Sequence, residues 1–151
     1  MHYLTLASLI AATALAAPAP QNDGTYKEPI SITSFSLRKY NATIQSVSFN
    51  ISGDNTTSPL LCAYGPTPSF PSEFVTCGSP DSNYRVVLIA PKDAAKSDVD
   101  LAIYHQTGDA SGLWTEAPAP PAYCHAGGLG GDDFICAQVG GVYEVFLGQS
   151  G

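Results

Sequence analysis

The chain has 151 residues, of which 44% are apolar, and its 13 acidic and 6 basic side chains give a formal net charge of −7. The apolar content and sparse charge exclude an intrinsically disordered chain. Arg38 and Lys39 are the only adjacent basic pair, so the sequence lacks the basic stripe of a nucleic-acid binder. No apolar run reaches the length of about 18 residues that a membrane-spanning helix needs, so we expect no membrane anchor.

The first 16 residues are predicted to be a removable signal peptide. An apolar run over residues 4–15 overlaps the small-residue pattern Ala14-Leu15-Ala16, which is typical of a signal peptidase site. A buried N-terminal helix is the alternative. Residues 17–24 are predicted to be a flexible lead, because prolines interrupt a polar stretch. We therefore expect a secreted, extracellular protein with one domain over residues 25–148.

Short apolar runs recur along the chain and predict strands. The clearest has Val47, Phe49 and Ile51 alternating with polar residues, which indicates a half-buried strand. Similar runs cover residues 30–32, 60–64, 74–77, 84–90, 99–103 and 113–117. Residues 93–96 predict a single helical turn, and prolines from Pro118 onward predict the end of regular structure. With 14 Gly and 12 Pro between such short runs, the chain is predicted to be an all-β sandwich or barrel.

Residues 123–147 combine two cysteines, Cys124 and Cys136, with a loop of glycines and acidic residues. The glycines at positions 127, 128, 130 and 131 permit positive φ. Apolar runs at residues 134–135 and 142–147 flank this loop, and Gly140 and Gly141 mark a turn between them. The segment therefore predicts a strand, a glycine loop, a second strand, a turn and a third strand.

The chain contains four cysteines: Cys62, Cys77, Cys124 and Cys136. Behind a secretory leader, an even number of cysteines predicts two disulfides. Of the three possible connectivities, local pairing is the simplest, because each cysteine has a near neighbour in the sequence. A zinc site is the alternative, but it needs clustered pairs such as Cys-x2-Cys, which this sequence lacks.

Three N-glycosylation sequons begin at Asn41, Asn50 and Asn55. Asn50 falls on the polar side of the predicted strand around Phe49, and Asn55 lies in a polar turn, where it is the most accessible of the three. Each sequon has an unmodified alternative. We predict glycosylation at these positions.

No constellation in the sequence predicts catalysis. A Gly-x-Ser-x-Gly elbow is absent, and two disulfides would leave no thiol nucleophile. A triad of distant residues stays open, as does calcium binding by Asp132 and Asp133 in the glycine loop, although acidic residues in loops more often cap turns or face solvent. Trp114 is either a binding-surface aromatic or a packing residue of the core or barrel rim. We expect no catalytic, cofactor-binding or metal-binding residues.

Residues 123–136 read Tyr-Cys-x-Ala-Gly-Gly-x-Gly-x-x-Asp-Phe-Ile-Cys, which resembles the Alt a 1 family of small secreted fungal proteins. This family includes major allergens and plant-directed effectors or elicitors. A weaker similarity extends over residues 29–147, including the positions around Cys62 and Cys77. The resemblance implies a single compact antiparallel β-barrel, with intramolecular disulfides Cys62–Cys77 and Cys124–Cys136, that is not an enzyme.

The resemblance also implies a function in fungal contact with plants. Family members provoke or modulate plant defence and bind apoplastic plant proteins of the thaumatin-like PR-5 type; flavonoid-type ligands are proposed as well. A carrier of a small apolar ligand is therefore the alternative function, and a secreted hydrolase is a third. Because loops carry recognition and aromatics supply binding energy, we expect the partner surface at Trp114, His125, Asp132 and Asp133.

The cysteine count also bears on the oligomeric state. Family members that form covalent dimers use an additional cysteine near the mature N-terminus, and residues 17–30 contain none. We therefore predict no covalent dimer, and a monomer or a weak non-covalent dimer instead.

Overall fold

The computed structural model describes residues 26–149, so the predicted signal peptide and lead lie outside the described residues. The described part is all-β, and it has no helix that is long and apolar enough to cross a membrane. Its strands, in chain order, are β1 Glu28–Tyr40, β2 Thr43–Ser52, β3 Leu60–Tyr64, β4 Val75–Thr76, β5 Tyr84–Ile89, β6 Asp100–Gly108, β7 Ser111–Pro118, β8 Ala122–Ala126, β9 Asp133–Gln138 and β10 Tyr143–Gln149.

All ten strands pair antiparallel in one curled sheet with the order β3-β2-β1-β10-β7-β6-β5-β4, and the β8–β9 hairpin joins this sheet where β9 pairs with β1. The two end strands, β3 and β4, meet at a seam. There Cys62 of β3 forms a disulfide with Cys77, the residue directly after β4, and the amide of Gly78 donates to the carbonyl oxygen of Leu61 at 2.7 Å. The seam makes the sheet a nearly closed barrel, and the predicted fold class is confirmed.

Strand β1 organises the barrel because it pairs with three other strands. One edge pairs with β2, while the other edge pairs first with β10 along Glu28 to Ile32 and then with β9 along Ser36 to Tyr40. The change of partner coincides with a break in register around Ser34, which has a φ of 56°. A bulge of this kind bends a strand, and here it lets one long strand serve two neighbours.

The alternation of apolar and polar residues in the sequence predicts which side chains face the inside of the barrel. Val47, Phe49 and Ile51 are buried, as the pattern predicts, and Phe49 is among the largest fully buried side chains. In β5 the side chains of Val86, Val87 and Leu88 are all buried, so this strand is covered on both faces, which explains its nearly continuous apolar sequence. Fully burying one such side chain contributes about 1.5–3 kcal/mol.

A polar cluster of Glu28, Tyr84 and His105 lies inside the barrel, and each of these residues is at most 3% exposed. Glu28 Oε2 lies 2.5 Å from His105 Nδ1, while Glu28 Oε1 accepts hydrogen bonds from the Tyr84 hydroxyl and from the amide of Asp54. The Tyr84 ring stacks on His105 with 4.1 Å between centroids. Burial and the adjacent Glu28 raise the pKa of Tyr84. The cluster links β1, β5 and β6 across the core. In the described residues, no buried side-chain nitrogen or oxygen atom lacks a hydrogen-bond partner, so the cluster carries no such penalty.

Two local expectations need correction. Strand β7 continues to Pro118, which pairs with Asp100, so this proline does not prevent regular structure. A proline is compatible with a strand at its end, where no further ladder bond from its nitrogen is required. In the glycine loop, Gly128 and Gly130 adopt positive φ, whereas Gly127 and Gly131 do not. The single turn after Asp93 is confirmed by the hydrogen bond from the amide of Lys96 to the carbonyl of Asp93.

Candidate functional site

The glycine loop, residues 127–132, connects β8 to β9 at the tip of a disulfide-linked hairpin. Cys124 and Cys136 are direct partners in the strand register and form the second disulfide. Cys124 is exposed and Cys136 is buried. Both predicted disulfides are therefore present, and one of them fixes the two strands from which the loop departs.

Asp133 anchors the loop from inside. Its carboxylate accepts hydrogen bonds from Arg38 Nε at 3.1 Å, from Arg38 Nη2 at 2.9 Å and from the amide of Leu129 at 3.0 Å. The side chain is 0% exposed. Hydrogen bonding by Arg38 lowers the pKa of Asp133, and the Leu129 amide adds to this effect. Asp133 is therefore not available to a partner, which corrects the expectation that it is an exposed contact residue.

Gly127 shows why the loop is rich in glycine. A Cβ atom at this position would lie 2.3 Å from Asp133 Oδ2, which is closer than any real contact. Its amide also donates to the carbonyl oxygen of Asp133 at 2.8 Å. The carboxylate and the backbone thus approach so closely that a side chain at 127 would displace the anchor.

Four of the exposed side chains of the hairpin form what we call the loop surface: Tyr123, His125, Leu129 and Asp132. Tyr123 is 70% exposed and Leu129 is 66% exposed. His125 Nδ1 lies 3.0 Å from the carbonyl oxygen of Ala126. Leu129 is not among the contact residues expected from the sequence, although an apolar residue between two glycine pairs was a signal for it. Two of the four expected contact residues, His125 and Asp132, lie on this surface.

Trp114 lies on a different part of the barrel. It belongs to β7, which pairs with β6 and β10, whereas the glycine-loop hairpin pairs with β1. Its ring is parallel to Tyr104 within 15°, with centroids 6.2 Å apart, and its side chain is 36% exposed. The structure therefore does not place Trp114 with His125 and Asp132 in one surface.

The sequons lie at the surface or on the outer face of the sheet. Asn41 is exposed in the turn between β1 and β2, with a φ of 49°, and Asn55 is exposed in the turn closed by the amide of Thr56 on Gly53. Asn50 is half-buried on β2, where it pairs with Thr33 and Leu61. Glycosylation at these asparagines stays a prediction.

One group of potential metal ligands occurs in the described residues. The Asp98 carboxylate and the sulfur atoms of Cys124 and Cys136 lie within 4.8 Å of one another. Both sulfurs are bonded in the disulfide, so neither offers the thiolate that a metal requires. In the glycine loop, the Asp133 oxygens already accept N–H donors, which does not fit the alternative of a calcium site there.

These features define a small all-β barrel protein that is tied by two disulfides and carries one anchored glycine loop. The family model described as Alternaria alternata allergen 1 matches residues 32–136, and the chain belongs to this family. The family is described by an allergen, and it is not a known enzyme family.

Two solved structures of Alternaria alternata allergen Alt a 1 are similar to this chain. One crystal structure is 26% identical, with a TM-score of 0.59, and the match covers 89% of this chain and 100% of that chain. A second is 25% identical, with a TM-score of 0.56, and the match covers 81% of this chain and 96% of that chain. No curated protein matches the chain.

Proposed function

We propose that this protein is a secreted effector or elicitor that acts by binding plant proteins through the loop surface, without catalysis. The observation that carries the proposal is a loop held from inside by Asp133 while it presents Leu129 to solvent. Family membership supports it, because the resemblance connects such barrels with contact between fungi and plants. Trp114 is not part of the loop surface, because it lies on β7.

Preorganisation is the physical argument for a binding role. The Cys124–Cys136 disulfide holds the two strands, and the Arg38–Asp133 contacts hold the backbone between them. A loop that is already ordered loses little conformational entropy when it binds, so more of the contact energy appears as affinity. Loops on a rigid β scaffold are common sites of recognition for this reason.

The side chains of the loop surface indicate what kind of partner fits. Leu129 offers apolar contact area at the tip of the hairpin and Tyr123 at its base, and tyrosines that become buried on binding are frequent hot spots of protein interfaces. Asp132 adds a negative charge to a chain whose net charge is −7. A basic partner is therefore favoured by electrostatic steering, and the proposed partner is an apoplastic protein of the thaumatin-like type with a basic face.

The alternative function, a barrel that carries a small apolar ligand, finds no support in the interior. Core side chains lie between the curled faces of the sheet, among them Phe49, Leu88, Leu101 and Ile103, each at most 1% exposed. A ligand inside the barrel would have to displace this core, and close-packed cores resist such a change. We therefore retain the protein-binding function.

The test uses purified, disulfide-intact protein and a purified basic thaumatin-like protein, with binding measured by biolayer interferometry. Leu129→Ala and Tyr123→Ala should each weaken binding about tenfold, or about 1.4 kcal/mol, because the proposal places both side chains among the few contacts that supply most of the binding energy. Phe146→Ala is the matched control, because Phe146 is 54% exposed but lies on β10.

Full binding by both folded loop variants would show that the loop surface is not the contact site. Turnover of a cell-wall polysaccharide or a peptide substrate by the wild-type protein would contradict the absence of catalysis. Circular dichroism and thiol titration confirm that each variant keeps the fold and both disulfides.

A further inference from the structure

Three aromatic side chains form a row on the outer face of the sheet that contains β5, β6 and β7. Tyr104 is the middle member; its ring centroid lies 5.5 Å from Phe74 and 6.2 Å from Trp114. Phe74 is 62% exposed and Trp114 is 36% exposed. Tyr104 is the direct register partner of Trp114 on β7 and of Arg85 on β5, so the strand pairing fixes these positions.

These rings border a solvent-open groove of about 430 Å³, which we call the aromatic groove. Its polar lining includes Arg85, Gln106 and Ser111. Arg85 Nη1 donates to Gln106 Oε1 at 3.0 Å, which orients both planar groups. A guanidinium has five N–H donors, so this hydrogen bond leaves others for a ligand. A concave surface with mostly apolar lining and a few oriented polar groups is typical of a ligand site.

The chemistry of this lining matches a sugar ring. A pyranose has a face of C–H groups, which packs on the electron-rich face of an aromatic ring, and an edge of hydroxyls, which needs hydrogen-bond partners. Trp114 and Phe74 supply the aromatic surface. Beside it, Gln106 Oε1 accepts from Arg85 and Gln106 Nε2 donates to the carbonyl oxygen of Gly108 at 3.3 Å, which leaves one N–H and one lone pair of the amide for a hydroxyl. An extended groove that is open to solvent also accommodates a chain of rings better than an enclosed pocket would.

The charge of the groove narrows the choice of ligand. The chain has a net charge of −7, yet Arg85 is the charged side chain of the groove lining, and no carboxylate is among the described residues that line it. His105 also lines the groove, but its Nδ1 is engaged with Glu28 in the core. A guanidinium pairs with a carboxylate through two parallel hydrogen bonds, so this local positive charge selects an anionic ligand.

From this combination we propose that the aromatic groove binds an acidic oligosaccharide, a chain of pyranose rings that carry carboxylates. In this arrangement Trp114 packs against the face of one ring, and Arg85 pairs with a carboxylate of the chain. A proline-rich peptide would also suit an aromatic-lined groove, but it offers no anion to Arg85. The proposal concerns a surface and a ligand separate from those of the loop surface.

The test titrates hexagalacturonate into the full disulfide-intact protein by isothermal titration calorimetry, with neutral cellohexaose and a proline-rich peptide as comparison ligands. Hexagalacturonate should bind most tightly, and added salt should weaken its binding. Trp114→Ala should weaken sugar binding about tenfold. Arg85→Gln should abolish both the preference for the acidic sugar and the salt dependence, while weak binding of the neutral sugar persists.

Two control variants lie elsewhere on the surface. Lys92→Gln removes a cation whose side chain is 71% exposed, and Leu129→Ala changes only the loop surface, so neither should alter sugar binding. Equal binding of cellohexaose and hexagalacturonate by the wild type would overturn the proposal. So would unchanged binding in Arg85→Gln, binding of the peptide alone, or no binding of hexagalacturonate. Since Leu129→Ala separates the two surfaces, a negative result here leaves the proposed protein-binding function unaffected.

Discussion

Asp132 and Asp133 are neighbours in the sequence and differ completely in environment. Asp132 is exposed, whereas Asp133 is enclosed by Arg38 and by the amide of Leu129. The sequence alone does not tell the two apart: both are expected to contact a partner, and for both, capping a turn and facing solvent stay open. Arg38 lies 95 positions away and reaches the loop only through the pairing of β1 with β9. A contact that depends on long-range pairing leaves no local pattern to read.

The Asp133 anchor predicts an acid-sensitive contribution to stability. Hydrogen bonding by Arg38 lowers the folded-state pKa of Asp133, so its carboxylate stabilises the fold above the unfolded-state pKa, near pH 4. This contribution is lost as pH falls through the lowered folded-state value. Asp133→Asn should therefore lower the melting temperature clearly at pH 6, and the difference from wild type should shrink as the pH falls from the unfolded-state pKa, near 4, through the lowered folded-state pKa.

Circular dichroism melts at a series of pH values check this expectation. Asp132→Asn is the matched control and should leave the melting temperature unchanged, because Asp132 is exposed. A difference between Asp133→Asn and wild type that stays constant from pH 6 to the acid limit would rule out the carboxylate as its source.

At the scale of elements, the sequence predicts where strands lie better than how they pair. Alternating polarity locates β2, and β3 coincides with the predicted run at residues 60–64. The predicted run at residues 99–103 covers only the first part of β6, where Asp100 and Ala102 are buried as well. The division of one edge of β1 between β10 and β9 is not predictable in this way, because it depends on a bulge near Ser34 and on strands about a hundred residues away. The glycine-loop hairpin is predictable because its two strands and its disulfide are all local.

The two disulfides occupy different places in the barrel, and their removal should have different effects. Cys62 and Cys77 are both fully buried and join the two end strands of the sheet at the seam, whereas Cys124 is exposed on a hairpin. Replacing either pair by alanine should cost about 2–5 kcal/mol of unfolding free energy. Loss of the seam pair should also free the edges of β3 and β4, which favours pairing between chains.

Urea unfolding measures the stability of each double variant, and light scattering measures its association. The seam variant, Cys62→Ala with Cys77→Ala, is expected to be the less stable and the more aggregated of the two. If the hairpin variant, Cys124→Ala with Cys136→Ala, aggregates equally, the seam has no special role in closing the barrel.

At the scale of the whole molecule, the fold separates two exposed surfaces. The loop surface belongs to the hairpin that pairs with β1, and the aromatic groove belongs to β5, β6 and β7. The sequence marks the glycine loop strongly, since Gly and Cys spacing is local. It marks the groove weakly: Tyr104 and Trp114 meet across the β6–β7 hairpin, but Phe74 and Arg85 come from other parts of the chain and join them only in the folded barrel.

The cysteine pairing leads to a prediction for the whole protein. All four cysteines of the sequence are joined in two intramolecular disulfides, and none in the described residues is free. The protein should therefore migrate at the mass of a single chain on a non-reducing gel. A band at twice that mass that disappears on reduction would contradict the prediction of no covalent dimer.

The position of β1 has a consequence for how the barrel forms in time. Its first residue, Glu28, is the register partner of Leu147, so the earliest strand of the barrel is completed by the last one. Most of the chain must be synthesised before this ladder can close, and contacts between residues so far apart in sequence form slowly. Until β10 arrives, β1 has an open edge along Glu28 to Ile32. The chain is therefore expected to stay unfolded through most of its synthesis and to acquire its barrel late, as one cooperative event.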